Sequence, residues 1–191
     1  MPNHAPAIAA PLRNVETERL LLERFELRHA AMLAPIFAKH AVWEFPYGRG
    51  FSTEETEGFV ETQTREWHEY GIGCWVASEK ANGRTIGYAG LSIPHFLPDH
   101  LPAVEVGWRF DPDVWGRGYA TEAASAALDE AFGTLELNRV CSAPQVANPP
   151  SFAVCERLGM TREGIVSAAG NEKRGPVDVY LYWITREAWE L

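Results

Sequence analysis

The sequence is short of cysteine, of lysine and of long apolar runs. Its three cysteines, Cys74, Cys141 and Cys155, are odd in number and far apart, so they build no disulfide framework. No Cys-x-x-Cys pair occurs and the six histidines lack metal-ligand spacing. A reduced, metal-free, cytoplasmic protein is the expectation. The apolar runs fall far short of the roughly 20 residues that span a bilayer. Met1 to Pro11 carries no basic segment ahead of an apolar one, so no secretory signal is read there. Residues 1–14 read instead as a loose tail, leaving 15–191 as a single domain. Basic groups are also scarce: 17 against 26 acidic ones leaves a net charge of −9. That argues against a nucleic-acid or anionic-membrane partner, both of which need a basic footprint. It leaves room for a local anion site.

What is present is ordinary globular material, 46% hydrophobic and 23% charged. Leu20 to Phe25 alternates as a first strand. Leu27 to Phe37 has helical spacing that Pro35 should kink or end. Ser52-Thr53-Glu54-Glu55 starts a second helix running to Gly71. Cys74–Ser78 and Thr85–Ile93 flank the hairpin turn Asn82-Gly83, and prolines mark 94–102 as loop. Ala103–Phe110 alternates cleanly, with Val104, Val106 and Trp108 on one side and Glu105, Gly107 and Arg109 on the other. A long helix then covers Ala120 to Ala131. Arg139–Ala143 is a strand, Asn148-Pro149-Pro150 opens a helix closed by Gly159, and Val177–Ile184 is the last strand. The order β-α-α-β-β-β-α-β-α-β describes a mixed α/β domain, not a doubly wound parallel one.

The informative stretch is Trp115-Gly116-Arg117-Gly118-Tyr119-Ala120-Thr121, between a strand and the long helix. Glycines permit a tight turn and close ligand approach, and free N–H groups at a helix start converge on an anion. A dinucleotide fingerprint would need a third glycine where Thr121 stands, and a P-loop would need Gly-Lys-Ser/Thr. A plain turn with two convenient glycines is the alternative.

The run from Glu105 to Phe132, with Glu-Val-Gly-Trp-Arg-Phe-Asp-Pro-Asp-Val-Trp-Gly-Arg-Gly-Tyr-Ala-Thr-Glu-Ala at its start, resembles the acyl-CoA core of the GNAT N-acetyltransferases. The family pattern Gln/Arg-x-x-Gly-x-Gly/Ala runs here from Trp115 through Gly118 to Ala120, with Trp115 departing as in the branch acting on ribosomal-protein N-termini. Glu18-Arg19-Leu20-Leu21-Leu22, Asn138-Arg139-Val140, Asn148-x-x-Ser151, Arg157-Leu158-Gly159-Met160 and Asp178-Val179-Tyr180-Leu181-Tyr182 agree in order. The resemblance implies a mixed, mostly antiparallel sheet with a splayed central strand pair, flanked by helices. It implies that the acetyl-CoA pyrophosphate sits on backbone amides of Arg117, Gly118, Tyr119, Ala120 and Thr121. The pantetheine arm would follow the edge of Trp108, Arg109 and Phe110, with Asn148 near the cofactor as well as capping its helix.

An amine must be neutral to accept an acetyl group. By resemblance Glu105 is the candidate base, with a solvated strand glutamate or a partner for Arg109 as the plainer reading. Oxyanion stabilisation would come from a backbone N–H near Trp108 or Arg109. Ser151 is the candidate proton donor to the leaving thiolate, against a first-turn residue bonding its own backbone; Cys155 stands where many relatives have tyrosine. Trp43-Glu44-Phe45-Pro46-Tyr47-Gly48 offers aromatic and acidic groups for an amine or simply packs a loop. Glu66, His68 and Glu69 form an acidic rim or a solvated helix face. The acceptor is expected to be a protein N-terminus, with a small amine (aminoglycoside, polyamine or amino-acid analogue) or a non-catalytic acyl-CoA-binding module as alternatives, and a nucleotide-dependent oxidoreductase as a remote one. Tyr180, Tyr182 and Trp183 are a candidate homodimer surface. The negative charge suits a cationic acceptor.

Overall fold

The computed structural model describes residues 13–170 and 175–191. Its strands are β1 (Val15–Glu16), β2 (Leu20–Arg24), β3 (Cys74–Glu79), β4 (Thr85–Ser92), β5 (Glu105–Phe110), β6 (Arg139–Ser142), β7 (Thr161–Ala168) and β8 (Val177–Thr185). They form one sheet in the order β1-β2-β3-β4-β5-β6-β8-β7. Every neighbouring pair is antiparallel except β5 and β6, which run parallel. Helices α1 (His29–Phe37), α2 (His40–Tyr47) and α3 (Thr53–Tyr70) lie on one face. Helix α4 (Tyr119–Asp129) packs on β4 and β5 from the other, next to α5 (Pro149–Arg157), and α6 (Arg186–Trp189) ends the chain. This is the mixed, mostly antiparallel architecture expected.

Local chemistry sets the element ends. Ser52 and Glu55 form a reciprocal capping box at the start of α3, and left-handed Gly71 ends it. Asn148 caps α5 ahead of two prolines whose missing N–H groups would have no helical acceptor. The rings of Phe25, Phe37 and Phe59 meet Tyr88 edge-on or tilted, joining α1 and α3 to the sheet. The proline-rich loop after β4 buries Leu97 against Cys141, Leu181 and Trp183, forming a second cluster over the far half of the sheet.

Three elements differ from the sequence expectation. Residues 1–12 of the expected tail lie outside the described residues, but Arg13 and Asn14 are already tied in. The Arg13 carbonyl accepts from Trp75 Nε1 at 2.8 Å, and Asn14 Oδ1 accepts from the Arg24 amide at 3.0 Å. Second, α2 occupies the expected loop around Trp43, broken internally by non-helical Trp43 and Phe45. Third, β7 is absent from the sequence expectation: it is an edge strand whose side chains are mostly exposed, and its polar opening Thr161-Arg162-Glu163-Gly164 carries no apolar alternation. In β8, Tyr182 and Trp183 are buried and Tyr180 packs on Phe152, so the aromatic side chains expected at a dimer surface face the protein's own core.

Gly87 lets β4 approach β5. Its φ is +147°, and a Cβ there would lie 2.2 Å from the Arg109 carbonyl oxygen. Gly87→Ala is expected to destabilise the fold by about 3 kcal/mol, because both backbone strain and a backbone clash must be relieved. Urea unfolding checks this; a loss below about 1 kcal/mol would show that the two strands can part cheaply.

Candidate active site

Between β5 and β6 the sheet opens. The strands share one paired position, Glu105 with Cys141, secured by the Cys141 amide on the Val104 carbonyl at 2.9 Å. Beyond it β6 follows β8 instead: the Pro144 carbonyl accepts from Tyr180, and the Val146 amide donates to Asp178. Backbone polar groups alternate along a strand, and Val104 points its carbonyl toward β6. Val106, Trp108 and Phe110 therefore face the opening, and Trp115 Nε1 donates to the Phe110 carbonyl at 2.8 Å. Arg109 turns its own backbone to Tyr88 in β4, so of the expected edge residues it cannot serve the open side. The same alternation leaves Trp108 as the oxyanion-donor candidate of the two.

At the end of this opening lies the glycine turn. Gly116 and Gly118 hold φ values of +75° and +82°. The N–H groups of Arg117 to Thr121 have no acceptor among the described residues, and they gather at the positive end of α4. The turn is held from outside: Arg19 Nη1 donates to the Arg117 carbonyl at 2.9 Å, and Arg19 Nε donates to Glu122 at 2.6 Å. Thr17 donates to the same carboxylate at 2.5 Å. Tyr119 gives its hydroxyl to Glu79 at 2.7 Å while Arg19 lies 4.5 Å over its ring, so only its amide is free for a ligand. Asn148 accepts from the Ser151 amide through Oδ1 at 3.4 Å.

Glu105 sits at the root of the opening on the face covered by α1–α3. It is part-buried, accepts weakly from Ser92 Oγ at 3.4 Å and takes the amide of Ala143, the residue after β6. Burial pushes its carboxyl up to about 7, outweighing those two bonds and the Arg109 charge, which pull it down. Cys155 is fully buried, its thiol pushed up to about 12 by burial while Ser142 bonds it, so it packs and does not titrate. Ser151 remains part-buried at the first turn of α5.

The acceptor side departs from the aromatic-cage expectation. Trp43 is buried, with Phe51 stacked at 3.8 Å and the Arg109 guanidinium 4.0 Å over its ring, so its faces are taken. Arg109 also donates to the Val42 carbonyl, to the Phe45 carbonyl at 2.8 Å and to Tyr88 Oη at 3.3 Å. Its side chain therefore pins α2, where sequence reading placed it on the cofactor edge. Of the acidic rim, His68 and Glu69 are exposed, whereas Glu66 is part-buried, bonded by Gln63 at 2.9 Å and raised chiefly by burial. Sequence reading also missed Arg19 and Glu122 as a pair. Both lie in stretches that carry the resemblance, but no spacing rule joins residues 103 apart.

The family described as an acetyltransferase (GNAT) domain matches residues 19–161, most of the chain. The chain belongs to the GNAT acetyltransferases. It is 27% identical over 176 residues to YnaD, an uncharacterised N-acetyltransferase of Bacillus subtilis, covering 92% of this chain and 99% of that one. Its fold is similar to that of a GNAT-family acetyltransferase from Bacillus anthracis, with a TM-score of 0.75, 26% identity and coverage of 91% and 99%. It also resembles RimL, a ribosomal L7/L12 α-N-protein acetyltransferase solved with coenzyme A, with a TM-score of 0.72, 20% identity and coverage of 90% and 97%. That last likeness shows the fold alone.

The raised Glu105 carboxyl of this acetyltransferase has a consequence for stability. A glutamate in an unfolded chain ionises near about 4.3. From there to about 7 the native state holds the extra proton, so stability falls as pH rises through that window. Glu105→Gln is expected to melt progressively higher than the parent from about pH 4.5 to about pH 7, with a constant margin above. A margin independent of pH would show that the carboxyl titrates normally.

Proposed function

We propose that this acetyltransferase takes acetyl-CoA in the opening between β5 and β6 and transfers the acetyl group directly to a primary amine. The acceptor we assign is a protein N-terminal α-amine of the ribosomal-protein kind. The observation that carries the reading is Glu105, a carboxyl pushed to about 7 at the root of the only parallel, parted strand pair among the described residues. The donor fits the site on its own geometry. Free amides of Arg117 to Thr121 suit a pyrophosphate, and the edge groups of Val106 and Trp108 suit a peptide-like arm adding to the sheet as a strand would.

Bound there, acetyl-CoA supplies a thioester carbonyl open to attack by an amine. Glu105 receives the proton that the amine nitrogen loses as its bond to carbon forms. The Trp108 amide faces the carbonyl oxygen, where negative charge gathers. Ser151 gives its proton to the sulfur as the carbon–sulfur bond breaks, and regains one from solvent. A base near 7 matches an α-amine, which ordinarily titrates at about 7.7–8, far better than a lysine at about 10.4. That match, with the −9 charge drawing a basic terminus inward, favours the N-terminal acceptor.

Thiol release should follow addition of acetyl-CoA with Ala- or Ser-starting peptides, with kcat/KM rising through two ionisations, Glu105 at about 7 and the peptide amine at about 7.7–8, to a plateau above both. Glu105→Gln should lower kcat/KM by about 100-fold at neutral pH and leave only the ionisation of the amine on the acid side. Faster release with polyamines or aminoglycosides would move the acceptor to that class, and no release with any amine while coenzyme A still binds would end the enzymatic reading.

A further inference from the structure

Gly107 lies on β5 midway between Glu105 and Arg109, and alternation puts all three on the face toward α1–α3. Residues two apart on a strand are separated by about 6.7 Å, so the outer pair stands roughly 13 Å apart at Cα. Between them is room: a Cβ built on Gly107 meets nothing within 4 Å. A glycine inside a strand weakens it, and an open face at that point marks close approach by something else. The φ of Gly107 is not in the left-handed region, so conformation alone does not require glycine there.

Arg109 borders this space with unused capacity. Its Nε and Nη1 are committed to Tyr88, Val42 and Phe45, and its plane rests over Trp43. Its Nη2 has no hydrogen-bond partner among the described residues, and no described carboxylate lies within 4.0 Å of the guanidinium. A part-buried cation, held rigid by neutral oxygens and left with two N–H donors, is a receptor for an oxygen. At the other end Glu105 takes protons from nitrogen.

We infer that the space over Gly107 is the acceptor subsite, and that it selects amines carrying a carbonyl or carboxylate oxygen beside the amine-bearing carbon. Arg109 binds that oxygen through Nη2 while the nitrogen faces Glu105. This rests on the acetyl-transfer reading and sharpens its acceptor: an aminoacyl group fits, and a simple alkylamine or polyamine leaves Arg109 unpaired. A free amino acid and a peptide terminus share this chemistry.

Three acceptors of one carbon skeleton test it: alanine amide, free alanine and isopropylamine, which lacks the oxygen. With acetyl-CoA, kcat/KM expressed per neutral amine, which removes the difference in amine basicity, should be at least 30-fold higher for alanine amide than for isopropylamine, and free alanine against the amide on the same basis shows whether carboxylate or carbonyl is preferred. Arg109→Lys should shrink the amide-to-isopropylamine ratio at least tenfold. Gly107→Ala should raise the alanine amide KM about tenfold, with coenzyme A affinity by calorimetry kept as the check on folding. Equal kcat/KM per neutral amine for amide and isopropylamine, an unchanged ratio in Arg109→Lys, or an unchanged KM in Gly107→Ala would overturn the inference. Calorimetric titration of alanine amide into the coenzyme A complex separates the two readings. Arg109-dependent binding without acetylation would sink the reaction and keep the subsite; acetylation without Arg109-dependent binding would do the reverse.

Discussion

Everything in the site follows from the single backbone pairing of Glu105 with Cys141. A parallel pair that continued would satisfy the amides and carbonyls of Val106, Trp108 and Phe110 within the protein. Because β6 leaves with β8, those groups are left at an open edge, where an unpaired buried amide is expensive unless something bonds it. The same parting creates a low-dielectric corner for one carboxyl, and that corner keeps Glu105 protonated far above its ordinary range. The open edge and the raised carboxyl are two results of one topological event.

Arg109 shows how the two sides of the sheet communicate. Its backbone completes the β4–β5 ladder, and its side chain holds the carbonyls of Val42 and Phe45. Helix α2 is thus built onto β5, with Trp43 sandwiched between guanidinium and Phe51. A loop holding aromatic residues in sequence became a buried brace in the structure. A cation–π arrangement is present, but the cation belongs to the protein.

Much of this was legible in residue order. The alternation of β5 put Glu105 and Arg109 on one face, Asn148 and Ser52 marked helix starts, and Gly116 and Gly118 marked the turn. What stayed hidden was whatever depends on long-range geometry or lacks periodicity. Exposed and half-buried positions alternate along most of Thr161–Ala168, but its Thr-Arg-Glu-Gly-Ile-Val-Ser-Ala sequence carries no matching apolar alternation. Which β5 backbone groups face the opening depends on the direction of the Val104 carbonyl, which no side-chain pattern encodes. The division of labour within Arg109 follows from that direction too.

The tie from Thr17 and Arg19 to Glu122 and the Arg117 carbonyl spans about a hundred residues of chain. Contacts of such separation cost loop-closure entropy. The shape of the glycine turn therefore depends on the N-terminal hairpin being docked on the sheet. A ligand that took the free amides of this turn would stabilise the docked hairpin as well, coupling residues 17–24 to residues 117–122.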